Sequence, residues 1–93
     1  MSVQVHVPEI LRKHTGGAKT LKASGRTLRE LLENLERQHP GFRDRLLEDG
    51  DRLHRFVNIY VNDEDVRFIQ ALETPLKDGD VVSILPAVAG GRA

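Results

Sequence analysis

A single stripe of leucines sets the architectural problem for this chain. The stripe follows the spacing i, i+3, i+4, i+7, which places its members on one face of an α-helix: Leu28, Leu31, Leu32 and Leu35. Thr27 and Glu30 form a predicted capping box at the helix start, and Pro40-Gly41 ends the helix. Because one helix cannot bury its apolar face alone, the chain needs a sheet to cover it.

Alternating apolar residues predict that sheet. Residues 2–7 and 18–24 alternate and indicate an antiparallel hairpin that turns at Gly16-Gly17. Residues 55–61 alternate in the same way. Residues 81–85 are almost continuously apolar, which predicts a central strand buried on both faces.

The remaining segments predict short connections. Phe42, Leu46 and Leu47 suggest a helical turn that ends at Asp49-Gly50, and residues 69–72 suggest another. A tight polar connection is expected at residues 62–65, and a turn at residues 75–80 with Gly79 left-handed. The fold class is therefore α+β, with a mixed sheet of four to five strands on one main helix.

Bulk composition excludes several classes of protein. The 93 residues carry 14 basic and 14 acidic side chains, so no net charge attracts nucleic acid or anionic lipid. Cysteine is absent, which excludes disulfides and thiolate chemistry. The first residues do not resemble a signal peptide, and no apolar run approaches ~20 residues. We expect a cytoplasmic protein without a membrane segment.

The body of the chain offers no pattern typical of a catalytic or cofactor site. The four histidines lack metal-ligand spacing, so no metal site is predicted. Gly16-Gly17 has no phosphate-loop context. A basic cluster at Arg12, Lys13, Lys19 and Lys22 is not interleaved with aromatic residues, so no nucleic-acid partner is expected. We expect a scaffold that binds no cofactor and is not itself an enzyme.

The C-terminal segment is the remaining candidate for function. Residues 1–86 are expected to form the domain, and residues 87–93 a flexible tail: Ala87, Val88, Ala89, Gly90, Gly91, Arg92 and Ala93. Small residues are common at unpacked ends, so an inert tail is one interpretation. The other is a working end, because an extended chain from Pro86 to Gly91 reaches ~20 Å and two glycines can enter a narrow channel.

Two segments carry a resemblance that favours the working end. The segments LHRFVNIYVNDEDVRF (53–68) and ILPAVAGG (84–91) resemble ubiquitin-like sulfur carrier proteins of the ThiS/MoaD family, and EILRKHTGG (9–17) is similar as well. The likeness is strongest to the CysO type, which serves cysteine biosynthesis in actinobacteria. It implies the β-grasp fold, in agreement with the element order.

The resemblance also implies a mechanism with Gly91 as its centre. An E1-like enzyme would use ATP to adenylate the Gly91 carboxylate, and sulfur would then displace AMP to leave a thiocarboxylate. Gly90 and the three residues before it would give access to the partner's active site. The thiocarboxylate would donate sulfur to an acceptor enzyme, such as a cysteine synthase that uses pyridoxal phosphate. An enzyme of a molybdopterin or thiazole pathway, or one that makes a sulfur-containing secondary metabolite, is the alternative acceptor.

One departure from the family pattern follows Gly91. Arg92 and Ala93 hold its carboxyl group in a peptide bond, so it cannot be adenylated as encoded. We therefore expect a JAMM-type zinc peptidase to remove Arg92-Ala93 and expose Gly91.

A docking patch and two other functions remain open. Phe56 and Tyr60 lie on one strand face and, with Leu85, would form an apolar patch beside the tail. Alternatively, Phe56 and Tyr60 would pack under the second short helix or the 66–72 segment. A ubiquitin-like modifier joined to target lysines through Gly91 is the alternative function, since the same end and the same adenylation would serve it. An interaction module with an inert tail is the third.

Overall fold

A mixed sheet of five strands covers the leucine stripe, in the order β2-β1-β7-β5-β6. The computed structural model describes residues 2–48, 52–54 and 57–86. Its helix α1 spans Leu28–Gln38. The strands are β1 Val3–His6, β2 Thr20–Ala23, β3 Leu47–Glu48, β4 Arg52–Leu53, β5 Val57–Val61, β6 Glu64–Asp65 and β7 Val81–Pro86. Short 3₁₀ segments lie at Glu9–Thr15, Arg43–Arg45, Val66–Phe68 and Ala71–Glu73.

Strand pairing confirms the predicted hairpin and the central last strand. β1 pairs with β2 antiparallel, with Val3 opposite Ala23. β7 pairs with β1 in parallel and with β5 antiparallel. The chain therefore places its last described strand in the middle of the sheet, between the first strand and the fifth.

The predicted cap starts α1. Thr27 Oγ1 accepts a hydrogen bond from the Glu30 amide at 3.2 Å. Glu30 reaches back as expected, but its Oε1 accepts from the Arg26 amide at 2.7 Å, one residue before the usual capping-box position. Two amides at the helix start, which have no partner within the helix, are satisfied by this pair.

The core lies between α1 and the sheet. All four leucines of the stripe are at most 1% exposed, and they share the core with the inward residues of the central strands: Val3, Val5, Ile59, Val82 and Ile84. Phe42 and Leu46, after α1, are also fully buried. Each such side chain contributes roughly 1.5–3 kcal/mol of burial free energy, so this layer dominates the stability of the domain.

Two predictions about strands are wrong. Leu47 does not continue a helical turn; it is the first residue of β3. β3 pairs with β4 in a small antiparallel hairpin, in which Leu47 lies opposite Leu53. The predicted end of that turn, Asp49-Gly50, lies outside the described residues. β7 is central, but only one face is buried: Val82 and Ile84 point into the core, whereas Leu85 is 48% exposed.

The connections differ from the predictions in detail. The hairpin of β1 and β2 is joined through the 3₁₀ segment Glu9–Thr15, with Gly16 left-handed at its end, and not by a simple glycine turn. The single turn expected at residues 69–72 is replaced by Val66–Phe68 and Ala71–Glu73. Gly79 is left-handed as predicted, at φ +89°. Within the described ranges, no helix has both the length and the apolar character that a bilayer crossing requires.

Candidate functional site

The described structure ends at Pro86, where the C-terminal segment of residues 87–93 begins. We call Pro86 the root of this segment. β7 finishes at Pro86, which lies opposite Val57 in the antiparallel pairing with β5. The predicted working end and its extension lie outside the described residues: Ala87, Val88, Ala89, Gly90, Gly91, Arg92 and Ala93. The structure therefore shows where this segment begins, at one end of the central strand.

Topology identifies the elements that surround the root. β1 runs parallel to β7, so the 3₁₀ segment Glu9–Thr15 that follows β1 lies at the same end of the sheet as Pro86. β5 is antiparallel to β7, so the start of β5 lies there as well. The opposite end carries the β5–β6 turn, in which Asn62 and Asp63 both have positive φ, as the predicted tight connection requires.

Two of the three predicted docking residues share the open face of the sheet. Tyr60 lies opposite Ser83, and Leu85 lies opposite Asn58, one step further toward the root. Tyr60 is half-buried and Leu85 is 48% exposed. Phe56 lies outside the described residues. Docking at this face stays a prediction.

Arg67 anchors the chain next to the root, a role that the sequence analysis did not predict. Its guanidinium donates to the backbone oxygens of His54 at 2.9 Å and Val57 at 2.6 Å, and to Asn58 Oδ1 at 2.7 Å. The Arg67 amide donates to Asp65 Oδ1 at 2.9 Å, which starts the 3₁₀ segment that carries the side chain. Arg67 thereby holds Val57, the first residue of β5, which lies opposite Pro86.

No local sequence pattern marks this contact. Arg67 and its acceptor Val57 are ten residues apart in the sequence. Two of the three acceptors of the guanidinium are backbone oxygens, which any residue supplies. A surface arginine after an acidic turn would normally be taken as a solvated charge.

Among residues 2–48, 52–54 and 57–86, no three His, Asp or Glu side chains are arranged to hold a metal ion. The acidic turn at Asn62–Asp65 is instead tied into the fold, since Asn62 Nδ2 donates to Asp80 Oδ1 at 2.9 Å.

The sequence matches a known family over nearly all of its length. The ThiS family model matches residues 5–91, which is nearly the whole chain and extends through both glycines. The chain belongs to the ThiS family.

Individual relatives are similar over their full length. The sulfur carrier protein CysO of Mycobacterium tuberculosis is 56% identical over 93 residues, covering 98% of this chain and 100% of that protein. A crystal structure of the Amycolatopsis orientalis BexX/CysO complex contains a chain with 54% identity and a TM-score of 0.90, covering 96% of this chain and 99% of that one. The fold predicted from the sequence is therefore confirmed.

A more distant relative is named as a modifier. The solution structure of small archaeal modifier protein 1 from Methanosarcina acetivorans matches with a TM-score of 0.82 and 33% identity, covering 97% of this chain and 96% of that one. The modifier is less similar in sequence to this chain than CysO or the chain of the BexX/CysO complex, and its TM-score is lower than that of the chain from the complex.

Proposed function

We propose that this chain is a sulfur carrier protein whose Gly91, after removal of Arg92-Ala93, is converted to a thiocarboxylate that donates sulfur. The observation that carries the proposal is the 56% identity to a sulfur carrier protein along the whole chain. The family match that runs to residue 91 also supports Gly91 as the working residue. The most fitting context is cysteine biosynthesis in the cytoplasm, as in the CysO type.

The chemistry requires four steps, all supplied by partner enzymes. A peptidase hydrolyses the Gly91–Arg92 bond and frees the glycine carboxylate. An E1-like enzyme lets this carboxylate attack the α-phosphate of ATP, releasing pyrophosphate and forming an acyl-adenylate. A sulfur nucleophile then displaces AMP and leaves the thiocarboxylate, which transfers its sulfur to an acceptor such as a pyridoxal-phosphate-dependent cysteine synthase. The chain itself is a protein substrate and not a catalyst.

The described structure supports this role through the root of the segment. Pro86 lies at the end of the central strand β7, which is paired with a strand on each side. The C-terminal segment is therefore attached to a rigid part of the domain. A working end is best presented from such a rigid element.

Intact mass spectrometry of the protein recovered from its own host tests the proposal. We expect loss of Arg92-Ala93 and a fraction in which sulfur replaces one oxygen at the new end. Gly91→Leu should abolish the thiocarboxylate without unfolding the domain. Ala93→Leu, beyond the cleavage point, should leave thiocarboxylate formation unchanged.

Two results would contradict the carrier function. One is a thiocarboxylate that persists in Gly91→Leu. The other is a set of covalent high-mass conjugates to lysines without any free thiocarboxylate, which would favour the modifier.

A further inference from the structure

A cationic groove lies beside the root of the C-terminal segment. It is an open cavity of about 230 Å³ whose lining includes Lys13, His14, Arg45 and His54. Leu11 and Val57, at 5% and 7% exposure, form its apolar floor. Ile10, which is 60% exposed, stands at its edge. None of the described residues that line it is acidic.

The groove is continuous with the root. Val57 belongs to its floor and lies directly opposite Pro86 in the strand pairing. Neighbouring strands are about 4.8 Å apart, so the groove borders the residue that pairs with the last described residue before the C-terminal segment.

The two basic side chains of the rim are available for a partner. Among the described residues, no hydrogen bond or ion pair engages the side chain of Lys13 or Arg45. Arg12 differs, because its Nε donates to the Val7 oxygen at 3.2 Å and helps to build the 3₁₀ segment. Lys13 and Arg45 therefore present charge without a structural duty.

The charges that line the groove indicate the kind of partner it fits. The chain is neutral overall, with 14 basic and 14 acidic residues. The described residues of the groove nevertheless include Lys13 and Arg45 and no carboxylate. An acidic protein surface is therefore the electrostatic complement of this groove.

We infer that this groove, defined by Ile10, Leu11, Lys13, His14, Arg45 and His54, docks onto an acidic surface of the activating enzyme beside the opening that receives the C-terminal segment. The inference rests on the carrier function proposed above. Carboxylates of the partner pair with Lys13 and Arg45, while an apolar side chain covers Ile10 and the Leu11 floor. The small size and apolar floor suit one or two side chains of a protein. They do not suit a phosphate backbone, which needs a longer basic track with aromatic stacking.

Charge reversal at the rim tests the inference with a matched control. We compare Lys13→Glu/Arg45→Glu with Lys22→Glu/Arg26→Glu, which changes the same residue types at exposed positions toward the other end of the sheet. Full-length chains are titrated with the activating enzyme of the same host at several NaCl concentrations. Thermal unfolding of every variant checks that the domain remains folded.

The rim variant should raise Kd at least about tenfold at low salt, mainly through a slower association rate. The wild type should lose affinity as salt increases, and the rim variant should respond much less. The control variant should stay within about twofold of the wild type. Equal effects of the two variants, or no effect of the rim variant, would overturn the inference, as would binding of a labelled RNA oligonucleotide as tight as that of the enzyme.

A second measurement separates this inference from the carrier function. Thiocarboxylate formation on chains ending at Gly91 is followed with the activating enzyme, ATP and sulfide. If the wild type forms none, the carrier function is wrong. If the wild type and the rim variant form it with the same KM and kcat, only the docking inference is wrong; a higher KM with unchanged kcat in the rim variant supports it.

Discussion

At the scale of single residues, Gly25 shows how closely the helix approaches the chain before it. A Cβ on Gly25 would lie 2.5 Å from the Leu31 nitrogen and 2.8 Å from the Leu31 Cα. These are backbone atoms of α1, so they cannot rotate away as a side chain could. Only glycine lets the 23–27 connection pass this near to the helix.

We expect Gly25→Ala to lower the free energy of unfolding by about 2 kcal/mol, because overpacking against a fixed backbone costs roughly 1–3 kcal/mol. Urea unfolding monitored by circular dichroism measures the change. Ser24→Ala, at an exposed neighbour, is the control and should be nearly neutral. Similar stability in both variants would show that the connection can move aside.

Glu36 is a second residue with a specific structural duty. Its two carboxylate oxygens accept hydrogen bonds from the Gly41 and Arg43 amides, both at 2.9 Å, and so hold the loop after α1. The Gly41 bond, the Arg43 bond and then the Arg43 charge lower the pKa of Glu36 below 4.5, more than desolvation raises it.

A lowered folded-state pKa predicts a definite pH dependence. The stabilisation from Glu36 is present above the carboxyl's ordinary pKa of 4.5 and is lost as pH falls through the lowered value. We therefore expect Glu36→Gln to have a lower urea midpoint than the wild type at pH 7, with the difference shrinking as pH falls below 4.5. Glu33→Gln, at an exposed position of the same helix, should show no such convergence. A constant difference at all pH values would contradict the assignment.

At the scale of elements, periodic segments were predictable from the sequence and short ones were not. The leucine stripe and the alternation of β1 and β5 have enough residues to show a period. β3 and β4 have two residues each, too few for any pattern, and Leu47 fits a helical turn equally well by spacing. The 3₁₀ segment after Pro8 is similarly hidden, because its apolar residues are too few to reveal a repeat.

β7 illustrates the limit of apolar content as a signal. Its sequence correctly predicted a central strand, but two-sided burial requires a second layer that a chain of this size does not build. Leu85 is exposed because the only α-helix among the described residues covers the other face.

The candidate site was also only partly predictable from the sequence. The glycine pair at 90–91 is visible in the sequence, and so is the resemblance that gives it meaning. The cationic groove is not, because Lys13, Arg45 and His54 are distant in the sequence and meet only through the topology. The basic cluster seen in sequence is dispersed in the fold, with Lys22 in β2 opposite Gln4.

At the scale of the whole molecule, a five-stranded sheet with β7 at its centre is accompanied by a separate two-stranded hairpin of β3 and β4. β7 is paired along both edges, whereas β3 and β4 pair only with each other. Core strands open only when the whole domain unfolds, while peripheral elements open locally at a lower free energy.

Amide hydrogen exchange should separate these regions. We expect the amides of β7 that are hydrogen-bonded in the sheet to exchange at the rate set by global unfolding, and those of the β3–β4 hairpin to exchange on the order of 100-fold faster. NMR or mass spectrometry after dilution into D₂O measures both. Equal protection would mean that the hairpin belongs to the cooperative core.

The central position of β7 also has a consequence for protein synthesis. Residues 81–86 are synthesised after the other four strands of the sheet, yet β1 and β5 are joined across the middle of the sheet only by β7. The sheet therefore cannot close until β7 has been synthesised. A product that stops before residue 81 lacks both the strand that closes the sheet and the segment that follows it. Only a chain translated past β7 can both fold and carry the glycine pair.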